Sequence, residues 1–171
     1  DIFQRGHEEI ECLELLKDSE IVCLKGNCEL YMQYGVDIDP DVEYLRDYYD
    51  ETRKKLTSEH MQFIREMPLF YESECNGHKI HFSHFLFSDI HAAYPYFQLS
   101  DLKNGVFDKA CESEDVTKYE LAVIGHCHQN FVKGNVVSVS ASGLEGASYL
   151  LIEDNEDIVS FEYINIDALT R

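Results

Sequence analysis

Positive charge is scarce in this sequence: 14 Lys and Arg stand against 33 Asp and Glu in 171 residues, a formal net charge of -19. A field of that sign repels a nucleic-acid backbone and an anionic membrane surface, so neither polymer nor membrane is an expected partner. No run approaches the roughly 18 consecutive apolar residues of a membrane span, and no charged-then-apolar leader opens the chain. The expectation is a soluble, cytoplasmic protein. No CxxC pair occurs among Cys12, Cys23, Cys28, Cys75, Cys111 and Cys127, and a chain of this size can dispense with disulfides, so all six read as reduced thiols. Internal repeats, low-complexity runs and a linker are missing too, which points to one domain over 1–171. What is present is a composition able to bury a core, 44% hydrophobic and 27% charged.

Residues 7–18 place Ile10, Leu13 and Leu16 at helical spacing, and IVCLKG after them reads as a short buried strand. Residues 40–55 are acidic and weakly periodic. Thr57, with His60 three places on and Pro68 beyond, brackets a further helix, TSEHMQFIREM. These helices are expected to pack together, and 37–66 to form a cap. LFYESEC and HKIHFSH, joined by Asn76-Gly77, give the clearest hairpin signal. Residues 86–120 read mostly as loop with one short helix near 99–111. From Leu121 the segments LAVIG, QNFVKG, NVVSVSA, ASYLLIE and DIVSFEYINI read as strands of an antiparallel sheet. Early helices and late strands indicate an α/β sandwich. The SYLLIE edge is open to pairing with another chain, as in a homo-oligomer.

The densest chemistry lies at Gly125-His126-Cys127-His128, directly after LAVI. Two imidazoles at i and i+2 of an extended segment point the same way, which suits a shared metal. His84 follows KIHFS in the same manner, Asn27 follows IVCLKG, and Asp1 opens another loop, so oxygen and nitrogen donors gather at strand ends. That mixture suits Mn, Fe or Zn over a thiolate-selective site. A chance HxH on a surface loop is the competing reading. His7, His60, His78 and His91 read as solvated, and His81 as lining one face of its strand. The aromatic stretch 85–96 reads first as packing, with stacking on a base or aryl ester as its alternative. A small phosphate ester as substrate would require a local reversal of charge, which bound divalent cations supply.

Asp1-Ile2-Phe3-Gln4-Arg5-Gly6 resembles a GDxxxRG box, Gly26-Asn27-Cys28-Glu29 a GNH(D/E) box, His84 an isolated metal-binding His, and Gly125-His126-Cys127-His128 a GHxH box. Standing in that order over nearly the whole chain, they make it resemble a calcineurin-like metallophosphoesterase of the small single-domain phosphodiesterase type. The resemblance implies a four-layer α/β/β/α sandwich. It further implies two divalent metal ions, Mn or Fe first and Zn next, with Asp1 bridging, Asn27, His84 and His126 completing one ion, and His128 helping to hold the other. Two such ions lower the pKa of a bridging water, aim the hydroxide at phosphorus and clamp phosphate oxygens. Arg5 would be a phosphate clamp, with a salt bridge to the acidic helix as its alternative. The implied substrate is a small phosphodiester or a nucleotide phosphoanhydride.

Three departures stand out. The chain opens inside the second box, so one more strand-helix-strand unit carrying a DxH box, about 30 residues or more, is expected upstream. Cys28 stands where many members have the His that protonates the leaving group. A thiol can donate a proton, with burial as a small hydrophobe the alternative. Ser140-Ala141-Ser142-Gly143 stands where an NPGS turn is usual. Against a hydrolase stand a catalytically weak interaction scaffold of the same fold and a metal-binding sensor.

Overall fold

The computed structural model describes residues 1–4, 8–86, 106–140 and 148–165. The chain divides into two compact units, Asp1–Leu69 and Phe70–Arg171. Among the described residues no helix is long and apolar enough to cross a membrane.

The first unit is helical: α1 (Glu9–Lys17), α2 (Asn27–Tyr34), two short 3-10 turns (Val36–Ile38 and Pro40–Leu45), α3 (Arg46–Lys55) and α4 (Ser58–Glu66). The start of α4 is set locally. The Thr57 hydroxyl accepts the His60 N–H and His60 Nδ1 accepts the Thr57 N–H, both at 3.2 Å, a reciprocal cap that satisfies orphan donors. His60 is buried, and its Nε2 meets Glu14 of α1 at 2.6 Å, so the cap also joins two helices. At the other end of α2, the Arg53 guanidinium of α3 donates to the Met32 and Tyr31 carbonyls, each at 3.0 Å. Phe3, Leu13, Tyr31, Met32, Tyr49 and Ile64 fill the core. Residues 37–66 therefore contribute directly to this core.

One expectation changes here. IVCLKG lies in no strand, and Ile21 and Val22 are 66% and 57% exposed. An apolar run becomes a strand when a neighbour takes its backbone groups. Here the Lys25 N–H goes to the Pro68 carbonyl at 2.8 Å, and no ladder forms among the described residues. Helix α2 was unexpected, because its amino end carries Gly26 in place of a side-chain cap.

The second unit holds β1 (Phe70–Cys75), β2 (His78–Ser83), α5 (Val106–Cys111), α6 (Glu114–Thr117), β3 (Leu121–Ile124), β4 (Phe131–Lys133), β5 (Val136–Ser138), β6 (Ser148–Asn155) and β7 (Ile158–Asn165). The expected hairpin forms across Asn76 and Gly77, both at positive φ (50° and 85°) as its tight turn requires. His78 is not simply solvated: its Nδ1 meets Asp154 Oδ1 at 2.8 Å.

Among the described residues five strands make one sheet in the order β1-β2-β3-β5-β4, and β6 and β7 pair in a second. The late strands are not all antiparallel, because β3 runs parallel to both β2 and β5. Alternation says which face a residue takes but nothing of strand direction. The short apolar run of β3, covered on both faces, is the mark of an interior parallel strand. Leu121 and Val137 point to the side covered by Leu150, Ile152, Val159 and Phe161 of β6 and β7. Ala122, Ile124 and Val136 point to the other side, with Cys111 and Val116 of the α5–α6 region. The second unit is thus a helix layer on a mixed sheet on a second sheet. Among the described residues no closed barrel forms, and the mixed α/β expectation holds.

Candidate metal centre

Strand register explains the first half of the site. Ser83 is the partner of Ile124 across the parallel β2–β3 ladder. The residues just beyond the two strand ends are His84 and Gly125-His126, so neighbouring parallel strands deliver both imidazoles to one edge. Their ring centroids are 5.3 Å apart, and a ring nitrogen of each lies within 4.8 Å of the other. Phe85, itself buried, contacts both rings edge-on. A Cβ at Gly125 would stand 3.3 Å from His84 Nδ1, so glycine leaves room for the His84 ring.

The loop geometry differs from the expected extended one. His126 and His128 both take left-handed backbone, φ 59° and 53°. Such values are uncommon without glycine and gather at functional sites. Between them Cys127 is buried among Ile124 and Val136, and its N–H closes a tight turn on the Gly125 carbonyl at 2.6 Å. Burial pushes the Cys127 thiol up, against a smaller opposing effect of its hydrogen bond with Ser138. A neutral apolar anchor between two imidazoles thus replaces strand alternation. The ring contact joins His84 with His126, and His128 stands half-buried two residues on.

In the first unit, Asp1 and the Gly26-Asn27 turn come together. The Asp1 carboxylate supplies the acceptor that Gly26 lacks: Oδ1 takes the Cys28 N–H at 3.0 Å, the second backbone donor of α2. That places a carboxylate at the positive end of a helix. A Cβ on Gly26 would lie 2.2 Å from that oxygen, so this approach requires glycine. Glu29 is the last residue of the Gly26-Asn27-Cys28-Glu29 box. Its buried carboxylate accepts the Ile2 N–H and the Gly26 N–H, each at 2.8 Å. Burial with backbone donors on both oxygens was not readable from spacing.

Cys28 is 2% exposed and packs with Phe3, Tyr31 and Tyr49. Its thiol donates to Gln4 Oε1 at 3.6 Å. Burial foremost, and then the Cys28 thiol, push the Tyr49 hydroxyl up. This placement supports the packing alternative for Cys28. Arg5, Ser142 and Gly143, and most of the aromatic stretch, lie outside the described residues.

The two paired imidazoles of the second unit fit a borderline divalent cation, and the first unit brings a carboxylate to the Gly26-Asn27 turn. Each set is backed by a glycine whose missing Cβ makes room for a donor side chain.

No family model matches the chain. The uncharacterized protein MJ0912 of Methanocaldococcus jannaschii is 25% identical, over 95% of this chain and 74% of that protein. The hypothetical protein PH1004 of Pyrococcus horikoshii has a similar structure, with a TM-score of 0.64 at 16% identity over 93% of this chain and 68% of its own. A metallophosphoesterase of Sphaerobacter thermophilus aligns with a TM-score of 0.57 at 17% identity, over 96% of this chain and 74% of its own. The fold is metallophosphoesterase-like, as the order of the four boxes implied.

Proposed function

We propose that the chain is a metal-dependent phosphoesterase that hydrolyses small phosphodiesters or nucleotide phosphoanhydrides. The observation that carries this reading is the His84–His126 pair, built where two parallel strands end in register. Asp1, Asn27, His84, His126 and His128, the donors that the four boxes imply, are the candidate ligands of two divalent cations, Mn or Fe before Zn. Such a pair supplies Lewis acidity toward phosphoryl oxygens and lowers the pKa of water. It also provides the positive field that a chain of net charge -19 needs around an anionic substrate.

The chain's own residues do the positioning. Phe85 packs edge-on against the His84 and His126 rings, and buried Cys127 anchors the loop between His126 and His128 in the core. The α2 amino end and Gly26 hold Asp1 through one of its oxygens. Arg5 would grip a nonbridging phosphate oxygen through its planar fork. Intracellular, cytoplasmic placement belongs to the same proposal and is supported by six cysteines that all stand as thiols.

The test is hydrolysis of bis(4-nitrophenyl) phosphate by the full-length protein in Mn2+, with Asn27→Ala as the blank. We expect turnover that chelator abolishes and the variant lacks, with a loss of at least about 100-fold, the scale set by misplacing one reacting partner. Stoichiometric Mn2+ binding without turnover of this ester or of a nucleoside diphosphate would favour the scaffold or sensor reading.

A further inference from the structure

Glu29 lies in the core of the first unit with no exposed surface, and a carboxylate is a costly group to bury. As the third residue of α2 it is placed to accept the N–H of Gly26, and it does so through Oε2 at 2.8 Å. One oxygen completes that task. The other, Oε1, crosses to a segment 27 residues away and takes the Ile2 N–H, also at 2.8 Å. His60 at the start of α4 shows the contrast: there the capping residue Thr57 contributes its own hydroxyl. At α2 the capping residue is glycine, and the two side chains that serve the helix end are Asp1 and Glu29. Ile2 N–H to Glu29, Glu29 to Gly26 N–H, and Cys28 N–H to Asp1 form a closed set of bonds between the two donor-bearing segments.

We propose that Glu29 is a positioning residue: its carboxylate joins the Asp1 segment to the Gly26-Asn27 turn and so sets the spacing of two ligands that it does not itself supply. The proposal rests on the reading of Asp1 and Asn27 as metal ligands. It accounts for the residue type. Two converging N–H donors need two acceptor oxygens, and glutamine offers one, its NH2 facing the second donor. Phe3, fully buried next to Ile2, holds the same segment from its apolar side, so loss of the Glu29 bonds should loosen the donors without releasing the whole segment.

The experiment is a Mn2+ titration of the full-length protein, read by the electron paramagnetic resonance signal of free Mn2+, for wild type, Glu29→Gln and Ile64→Val. Amide exchange at Ile2 and Gly26 is measured in parallel on metal-free protein. Ile64→Val loosens the same core away from the donors and reports what mere destabilisation does. We expect Glu29→Gln to weaken Mn2+ binding about 10- to 100-fold, as loss of an outer partner of a ligand does. Protection at Ile2 or Gly26 should fall, with Ile64→Val near wild type in both respects. Binding by Glu29→Gln within about threefold of wild type, or an equal loss in Ile64→Val, would overturn the proposal and leave the metal reading standing. A wild type that binds no Mn2+ would overturn the metal reading itself, and the proposal with it.

Discussion

Gly26→Ala should cost the protein at least about 100-fold in Mn2+-dependent turnover, the scale on which a misplacement near 1 Å acts. The new methyl would lie 2.2 Å from Asp1 Oδ1, 3.0 Å from its Cγ and 3.1 Å from its backbone nitrogen. A rotamer change cannot relieve three such contacts at once, since one is to backbone. Asp1 must move as a whole. The Cys28 N–H then loses its acceptor, which costs about 1 kcal/mol as for a missing helix cap. The functional loss should far exceed that, because Gly26 has extended backbone, φ -97° and ψ -174°, that alanine adopts freely. Turnover and Mn2+ affinity, measured beside thermal stability, separate the two effects. A variant within threefold of wild type in both would show that Asp1 is not held there.

Lowering the pH from 7 to 4.5 should cost the second unit about 2–3 kcal/mol through His81 alone, and His81→Phe should remove that part of the loss. His81 is 1% exposed on β2, beside the ring of Phe70 at 5.6 Å and that of Tyr119 at 4.8 Å. Burial foremost lowers it from 6.5 to about 4, although the Glu72 carboxylate, 3.7 Å away, pulls the other way and Lys118 adds slightly to the lowering. Tyr119 donates its hydroxyl to Glu72, which foremost holds that carboxylate below its ordinary value. Above pH 6.5 the imidazole is neutral in folded and unfolded chains, and this stability is fully present. As pH falls from 6.5 toward about 4, the unfolded chain takes up a proton that the folded chain refuses, and stability drops. At about 1.4 kcal/mol per pKa unit the whole window is worth about 3 kcal/mol. Urea unfolding of both proteins at pH 7 and pH 4.5 measures it. Equal acid losses in wild type and His81→Phe would refute it.

Local chemistry was legible in the sequence wherever it was complete within a few residues. Thr57 with His60 marked α4, and Asn76-Gly77 marked the hairpin, because each element carries its own cap or turn. Helix α2 was hidden for the opposite reason: its cap acceptor is Asp1, far away in sequence. IVCLKG has the composition of a strand, yet pairing is a property of two segments, and the run lies outside every ladder described. Parallel pairing of β3 was equally out of reach, since an apolar run does not state its direction.

The site shows the same division. The identities of His84 and His126 followed from their place after apolar strands, but their meeting depends on Ser83 being in register with Ile124. The expected alternation of His126 and His128 gave way to two left-handed residues about a buried Cys127, which no period-2 pattern reveals. Cys28, read for chemistry or for packing, is placed among Phe3, Tyr31 and Tyr49. The role of Glu29 depends on burial and on a bond spanning 27 residues.

Crystals of the full-length protein grown in Mn2+ and measured at the manganese absorption edge show whether the His84–His126 pair holds a divalent cation. An anomalous peak is expected about 2.2 Å, an ordinary length for such bonds, from a ring nitrogen of His84 and of His126. Manganese bound elsewhere, with none at the His84–His126 pair, would contradict the metal reading.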